Sequence, residues 1–332
     1  MALIPAYNEA ESIGATIASV AAQSLCPVVT IVVANNCTDG TEEVAQEHGA
    51  LVFLAEPNRD KKAGALNLAL DFVMPLLGGE DALLVMDADT TLSQTFIEVA
   101  DRLLTGTVGG VGGAFIGRPS STSLGMLQRM EYHRYRREIT RRGERAFVLS
   151  GTGALLSVDA LETIRAARDG DVLPAGAGYY DTHSLTEDNE LTLAMLTCGY
   201  RCLSPVEMTT TTDVMETAKA LWQQRDRWYL GALRNLQAYG WRMPWHMKWV
   251  YWRQQFGLVL SVLTIVAHVV LLTLLASLGL PITPSPLWTS LAVFVVLMNM
   301  GRPRIIIGVA VTVSTRSSAA VTPVPTKAPA TR

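Results

Sequence analysis

The first hundred residues alternate short apolar runs with segments whose apolar residues recur at helical spacing, and this alternation restricts the fold more than any other feature. The apolar runs predict strands at residues 2–4, 28–33, 51–54 and 82–86. The helical spacing predicts helices at residues 9–22, 41–48, 62–77 and 93–104. Strands and helices that alternate in this way favour an α/β fold, a largely parallel sheet with helices on both faces.

Polar residues follow three of these predicted strands. Ligands of open α/β sheets bind beyond the carboxyl ends of the strands. The sequence therefore predicts a ligand site where these residues meet. The polar residues concerned are Tyr7, Asn8 and Glu9 after the first strand, Asn35 to Asp39 after the second, and Asp87 and Asp89 after the fourth.

Composition excludes some classes of function. The chain has 332 residues, and its formal net charge is only -3. No long stripe of Lys and Arg runs through the globular part, so nucleic acid is not an expected partner. The four cysteines form no Cys-x-x-Cys pair, which argues against a zinc site and fits a catalytic domain in the reducing cytoplasm.

The apolar excess lies at the carboxyl end. Residues 256–280 are almost entirely apolar and long enough to span a bilayer. A second apolar stretch, within residues 287–313, is interrupted by Arg302, Pro303 and Arg304. Basic residues flank the outer ends, which predicts a transmembrane hairpin at residues 256–313 in the cytoplasmic membrane, with the catalytic domain facing the cytoplasm. Residues 314–332 are rich in Ser, Thr, Pro and Ala and are expected to be disordered.

Four tryptophans precede the first predicted span. Trp241, Trp245, Trp249 and Trp252 follow a spacing that places them on one face of a helix. This pattern predicts an amphipathic helix at residues 241–255 that lies in the headgroup region. Packing of the same face against the catalytic domain is the alternative.

The pair Asp87 and Asp89 ends an apolar strand. Two carboxylates at this spacing can turn towards one hard cation, and Mg2+ and Mn2+ prefer such oxygen ligands. Aspartates at a strand end are also common in turns and helix caps. A metal site is therefore one of two open interpretations.

Two acidic residues, Glu187 and Asp188, begin a later apolar helical pattern. One of them is a candidate general base that takes a proton from a hydroxyl. The alternative is a capping box, because Ser184 precedes Glu187 by three residues. Further along, Arg227 and Trp228 offer a cation for a diphosphate and an aromatic face for a sugar ring.

In their order along the chain, these segments resemble family 2 glycosyltransferases of the GT-A fold, in particular the branch of the cellulose, chitin and hyaluronan synthases. The succession Asp87-Ala88-Asp89, Thr186-Glu187-Asp188 and Gln224-x-x-Arg227-Trp228 is the specific part. The resemblance covers residues 1 to about 240. It implies a Rossmann-like GT-A domain, with residues 1–115 binding the nucleotide sugar and residues 116–240 holding the acceptor and the catalytic groups.

The resemblance also implies roles for single residues. Asp188, beside Glu187, would be the catalytic base, and Asp89 together with Asp87 would hold Mg2+ or Mn2+. Acceptor binding would involve Gly151, Thr152, Gly153 and Trp228. The residues that would bind the donor are Ala6, Tyr7, Glu9, Asn35, Asp39, Lys62, Asp87 and Arg227. Relatives usually carry Asp where Asn35 stands, in a contact to the nucleobase.

These roles together imply an inverting, metal-dependent transfer from a UDP-sugar to a saccharide acceptor, which forms a β-linkage. The saccharide would be free or carried on protein or lipid, and self-association is a further expectation. The alternatives are a glycosyltransferase acting on a protein or lipid acceptor, and a membrane protein that binds nucleotide sugars without catalysis.

Overall fold

The protein is described by a computed structural model for residues 1–240, except 175 and 177, and for scattered positions between 242 and 278. Its contacts divide the chain into two units, Met1–Lys248 and Trp249–Arg332. All helices and strands given below belong to the first unit.

Ten strands and eight α-helices follow one another in the described part of this unit. The strands are β1 (Ala2–Ala6), β2 (Thr30–Ala34), β3 (Leu51–Leu54), β4 (Ala82–Val85), β5 (Thr91–Leu92), β6 (Val108–Gly112), β7 (Ala114–Gly117), β8 (Ala154–Ser157), β9 (Arg201–Leu203) and β10 (Thr209–Thr212). The helices are α1 (Ile13–Ala21), α2 (Thr41–Glu47), α3 (Lys61–Val73), α4 (Phe96–Leu103), α5 (Ser123–Arg141), α6 (Val158–Asp169), α7 (Glu187–Thr197) and α8 (Ala218–Tyr239). A short 3-10 helix, Met74–Leu76, continues α3.

Seven strands form the main sheet in the order β3-β2-β1-β4-β8-β6-β9. The four strands predicted from the apolar runs are the adjacent parallel strands β3, β2, β1 and β4. Only β8 runs antiparallel to its neighbours β4 and β6. A second sheet has the order β5-β10-β7. The predicted α/β fold with a mostly parallel sheet is confirmed.

The sheet packs its apolar residues against helices. Every residue of β1 is buried, and Ile13, Ile17 and Val20 of α1 lie in the same core cluster. The helix predicted from residue 9 begins four residues later, because the preceding residues form a polar turn in which Asn8 has a φ of 56°. Polar residues are thus kept at the carboxyl end of β1, where the site lies.

Four glycines fall within residues 109–113, at the fully buried strand β6. A Cβ on Gly110 would lie 2.6 Å from Leu149 Cδ1, and one on Gly113 would lie 2.4 Å from Thr210 Cγ2. These two glycines are therefore required by close packing.

The predicted membrane segments lie almost wholly outside the described residues. Among the positions that the structure does describe, no helix is long and apolar enough to cross a bilayer. Of the four tryptophans in the predicted amphipathic helix, only Trp245 and Trp252 are described, with exposed fractions of 78% and 47%. The hairpin at 256–313, the tail at 314–332 and the subdivision of residues 1–240 stay predictions.

A buried ion pair fixes α7 against α6 and α8. Arg168 on α6 donates to Glu190 Oε2 over 2.7 Å, and the Tyr239 hydroxyl on α8 donates to Glu190 Oε1 over 2.5 Å. The side chains of Arg168 and Glu190 are almost fully buried. Since α7 begins with Glu187 and Asp188, this pair holds the helix that carries the candidate base.

We expect Glu190→Ala to lower the free energy of unfolding by about 3–5 kcal/mol, because it leaves the Arg168 charge buried without its partner. Urea titration of the purified protein measures this change. Glu138→Ala is the matched control, since Glu138 pairs with Arg142 at the surface and should cost less than about 1 kcal/mol. Equal losses in the two variants would contradict a structural role for the buried pair.

Candidate active site

The candidate site lies at the carboxyl ends of β1, β2 and β4 and at the start of α7. Strand β4 leads directly to Asp87 and Asp89, while the amino-terminal turn of α3 supplies Lys62. A cavity there is lined by Lys62, Leu66, Val85, Leu149, Ser150, Gly151, Ala154, Leu156, Tyr180, Glu187, Asp188 and Leu191. The structure thus brings the predicted Lys62, Asp87, Glu187 and Asp188 together.

Lys62 connects two of the predicted carboxylates. Its ammonium lies 2.5 Å from Asp87 Oδ1 and 2.9 Å from Glu187 Oε1. Burial lowers the pKa of Lys62, but the two carboxylates outweigh burial and raise the pKa well above its ordinary value. Lys62 therefore stays charged at physiological pH.

Glu187 and Asp188 titrate in opposite directions although they are neighbours. Burial raises the pKa of Glu187, but Lys62 and, more weakly, Arg227 lower it below its ordinary value. For Asp188, burial and the negative charge of Glu187 raise the pKa to about 6, against the lowering effect of Lys62. Asp188 is therefore the more basic of the two, which is the property a general base needs near neutral pH.

Backbone amides orient the Asp188 carboxylate. Oδ2 accepts from the Gly151 N–H over 3.1 Å, and Oδ1 accepts from the Asn189 N–H over 2.7 Å. Gly151 in turn accepts through its carbonyl from the Asp87 N–H over 3.0 Å. A Cβ on Gly151 would lie 3.1 Å from Lys62 Nζ, so the absence of a side chain keeps this loop close to the charged groups.

The capping-box interpretation of Glu187 is wrong. The residue that precedes α7 is Thr186, and no side chain caps the helix. The Ser184 hydroxyl donates to the Thr186 carbonyl over 3.0 Å, while Glu187 pairs with Lys62. Because Ser184 stands two residues before the N-cap position, Thr186, the reciprocal pair of a capping box does not form.

Asp89 is half-buried and surrounded by negative charge. Burial and then the charges of Asp87, Glu9 and Asp213 raise the pKa of Asp89 to about 6, although the Thr90 hydroxyl donates to it over 3.1 Å. In the described part of the chain, no group of three or more His, Cys, Asp or Glu side chains is arranged to hold a metal by itself. The hard oxygens and excess negative charge at Asp89 fit a divalent cation that also contacts a ligand.

The residues predicted after β1 and β2 divide into two groups. Glu9 and Asp39 join the loops: Glu9 Oε2 accepts from the Ser12 hydroxyl over 2.7 Å, and Asp39 Oδ2 accepts from the Ala10 N–H over 3.0 Å. Tyr7, by contrast, is 61% exposed, and Ala6 ends β1 beside Asn35. The loop contacts give Glu9 and Asp39 a structural task, and their predicted role in donor binding stays a prediction.

The second half of the predicted site is carried by α8, which contacts α5 through Arg225. Arg227 is exposed, while Trp228 is half-buried beneath the guanidinium of Arg225, which lies 4.7 Å from the ring centroid. Arg225 also pairs with Glu131 on α5 over 2.6 Å. Trp228 is therefore held in place by a residue that the motif itself does not name.

The remaining residues predicted to bind the acceptor lie in the loop that precedes β8. Thr152 is buried, and its hydroxyl shares a hydrogen bond of 2.9 Å with the Thr210 hydroxyl. Gly153 accepts through its carbonyl from the Gly113 N–H over 2.9 Å. The first contact joins the loop of residues 150–153 to β10 of the second sheet, and the other joins it to the residue between β6 and β7. The predicted role of these residues in acceptor binding is not tested by these contacts.

Sequence reasoning missed a residue that positions the loop before α7. Asn67 Oδ1 accepts from the N–H groups of Tyr179 and Tyr180 over 3.0 and 2.9 Å, and its Nδ2 donates to the Tyr180 carbonyl over 2.8 Å. Tyr180 lines the cavity beside Lys62. The sequence feature that could have identified Asn67 is its position as an amide side chain in the middle of the otherwise apolar pattern of α3.

Comparison with known proteins relates this arrangement to a family. The family model described as "Glycosyltransferase like family 2" matches residues 1–231. The chain belongs to this glycosyltransferase family. It is an enzyme of that class, and the predicted relationship is confirmed.

Relatives and a solved structure agree with this assignment. The chain is 27% identical over 239 residues to the poly-beta-1,6-N-acetyl-D-glucosamine synthase of Staphylococcus aureus, covering 69% of this chain and 53% of the relative. The synthase of Staphylococcus epidermidis is also 27% identical, over 238 residues. A mannosyltransferase from Pyrobaculum calidifontis, solved with GDP-mannose and Mn2+, has a TM-score of 0.60 at 20% identity, covering 90% of this chain and 85% of that one.

These relationships confirm the GT-A fold of the glycosyltransferase domain. The chain spans about half the length of the two synthases it matches, since 53% of each relative is covered. The mannosyltransferase is similar in fold across most of its length. The individual roles predicted for the site residues rest on the geometry given above and are taken up as a proposal below.

We expect Lys62→Met to move the acid limb of the transfer rate to higher pH. In the native protein the limb should lie near pH 6, because that is the pKa of Asp188. The Lys62 charge lowers this pKa, so its removal raises it, and Asp188 is then protonated over a wider range. The pH dependence of the transfer rate measures the shift.

Lys61→Met is the control for this experiment. Lys61 is exposed and forms no salt bridge with any described residue. If the acid limb of the pH dependence of the transfer rate moves equally in both variants, that limb does not reflect the ionisation of Asp188.

Proposed function

We propose that this glycosyltransferase transfers a sugar from a nucleoside diphosphate sugar, a UDP-sugar in the first instance, to a hydroxyl of a saccharide acceptor by a single displacement with inversion. The observation that carries the proposal is the pair Glu187 and Asp188 beside Lys62. Only one of these carboxylates, Asp188, has a raised pKa, so the two groups are already divided into an ion-pair partner and a base.

Asp188 would take the proton of the attacking hydroxyl. Its orientation is fixed by the Gly151 and Asn189 amides, which leaves little freedom for the carboxylate to turn away from an acceptor. A base that takes a proton in one displacement step leads to inversion, and an α-linked donor sugar then yields a β-linkage. The raised pKa supports this role, because a stronger base accepts the proton more readily.

The donor would lie along Lys62, Asp87 and Asp89, with Arg227 near its diphosphate. Asp89 would hold Mg2+ or Mn2+ together with phosphate oxygens, since these ions share their sites with substrate phosphates. When bound, the cation offsets the negative charge that grows on the leaving diphosphate. Lys62 would keep Asp87 and Glu187 in place while the donor binds.

A saccharide acceptor is supported by Trp228, whose ring lies against the guanidinium of Arg225, which is itself paired with Glu131 on α5. Aromatic faces pack well against the apolar faces of sugar rings. The relatives are named as synthases of a polysaccharide, poly-beta-1,6-N-acetyl-D-glucosamine. We therefore favour a carbohydrate acceptor, free or carried on protein or lipid.

Attachment to the cytoplasmic membrane belongs to the same proposal. It is supported by the apolar stretch 256–280 and its flanking basic residues. Several apolar side chains described in this stretch are exposed, among them Phe256, Leu263 and Leu274. A catalytic domain facing the cytoplasm would have access to nucleotide sugars made there.

Purified protein incubated with a panel of nucleotide sugars and oligosaccharides tests the proposal. We expect release of nucleoside diphosphate and a new β-linked product with at least one donor, measured by coupled nucleotide assay and by NMR of the anomeric proton. Excess chelator should abolish transfer, and Mg2+ or Mn2+ should restore it. Full activity in excess chelator would contradict the metal, and an α-linked product from an α-linked donor would contradict inversion.

We expect Asp188→Asn to lower the turnover rate by about 100-fold or more, the scale of a lost general base. Donor binding should be largely kept. The folded protein holds the Asp188 proton more tightly than the unfolded chain, so the contribution of this group to stability decreases as pH rises from about 4 through about 6. The variant lacks that ionisation and should be no less stable than the native protein at pH 7.5.

Turnover and urea unfolding of the same preparation distinguish the possible outcomes. Asp188→Glu is a useful comparison, because it keeps the base and changes only its reach. Retained activity with a large loss of stability in Asp188→Asn would mean that Asp188 has a structural role.

A further inference from the structure

Asn35 is the first residue after β2 and lies beside the end of β1. Its backbone N–H donates to the Ala6 carbonyl over 2.9 Å, and the residue is only 8% exposed. The family resemblance implies that this position contacts the nucleobase of the donor, and relatives usually carry Asp there. An aspartate can only accept hydrogen bonds, whereas an asparagine amide offers an acceptor on one side and a donor on the other.

The acceptor side of the Asn35 amide is occupied inside the protein. Oδ1 accepts from Asn58 Nδ2 over 2.8 Å and from Asn36 Nδ2 over 3.0 Å. Both donors come from loops that border the site. The carbonyl of Asn35 is therefore already engaged before any ligand binds.

The backbone fixes the direction of both donors. Asn58 Nδ2 also donates to the Lys61 carbonyl over 2.6 Å, and Asn58 Oδ1 accepts from the Asp60 N–H over 2.9 Å. Asn36 Nδ2 donates to the Asn58 carbonyl over 2.9 Å. Backbone groups cannot exchange donor and acceptor, so neither side chain can be turned over without losing these bonds.

It follows that the Asn35 amide has one orientation. Turning it by half a rotation would place its NH2 group against two other NH2 groups. In the observed orientation, Nδ2 has no hydrogen-bond partner among the described residues. It is also not one of the described polar atoms that are both inaccessible to solvent and without a partner, so it remains accessible. The group left for a ligand is a hydrogen-bond donor.

We propose that Asn35 recognises a carbonyl oxygen of the donor's base through Nδ2–H, and does not accept the imide N–H of that base. The inference rests on the proposed use of a nucleoside diphosphate sugar and adds how its base is read. Uracil and guanine both carry such a carbonyl next to the N–H. The affinity of this protein for the base should then not depend on the imide N–H, whereas an aspartate at this position would need that N–H as a hydrogen-bond donor.

Calorimetric binding of UDP and of 3-methyl-UDP to the full-length protein, in the presence of Mn2+, tests the proposal. The methyl group replaces the imide proton and leaves both carbonyls in place. We expect the native protein to bind the two nucleotides with affinities that agree within about three-fold. A loss of ten-fold or more on methylation would overturn the proposal, because a base that is recognised through its carbonyl alone should tolerate this change.

Asn35→Asp is the matched variant for this comparison. One carboxylate oxygen can still accept from Asn58 and Asn36, while the other replaces the Nδ2 donor by an acceptor. We expect this variant to bind UDP at least ten-fold more tightly than 3-methyl-UDP. The added charge acts equally on both ligands and cancels in the ratio, and an unchanged ratio in the variant would also overturn the proposal.

The same titrations separate this inference from the proposed function. If the native protein binds UDP but not 3-methyl-UDP, only the proposal that Asn35 recognises a carbonyl of the base is contradicted. GDP is titrated as a further ligand. If neither UDP nor GDP binds at any accessible concentration, the proposed donor class fails, and the recognition of its base fails with it.

Discussion

The position of the whole site depends on the ion pairs of one lysine. Lys62 stands at the start of α3, Asp87 at the end of β4 and Glu187 at the start of α7, and the lysine contacts both carboxylates within 3 Å. These elements are separated by 25 residues on one side and more than a hundred on the other. A partly buried charge with two opposite partners connects the first half of the domain to the second more firmly than exposed pairs do.

This triad also decides the chemistry of its neighbours. Lys62 pairs with Asp87 and Glu187, and Asp188 is left as the carboxylate with a raised pKa on that side of the site. On the other side, Asp89 stays under the influence of Asp87 and other acids. The same four carboxylates are therefore divided by one cation into ion-pair partners, a candidate base and a candidate metal ligand, which is how one fold separates acid and base tasks.

Around the triad of Lys62, Asp87 and Glu187, glycines and side-chain amides position the loops and the reactive groups of the site. Gly151 allows a backbone loop to approach Lys62, while its own N–H orients Asp188. Asn67 holds the loop before α7 through three hydrogen bonds, and Asn58 fixes Asn35 through its backbone contacts. None of these residues performs proton transfer in the proposed mechanism, yet the directions of the reactive groups depend on them.

The sequence by itself determined the parallel strands and the helices of the first hundred residues, and the family, because apolar periodicity and the order of short acidic motifs are local properties. It also determined which polar residues follow these strands, and so that Asp87 and Asp89 lie at the ligand-binding edge of the sheet, while Asp188 was assigned to the same site only through the family resemblance. Only the tertiary structure decided that Glu187 pairs with Lys62 instead of capping α7, that Arg225 holds Trp228, and which way the Asn35 amide faces. These features depend on contacts between residues far apart in the chain, and the direction of a side chain at such a contact is set by partners that no local pattern identifies.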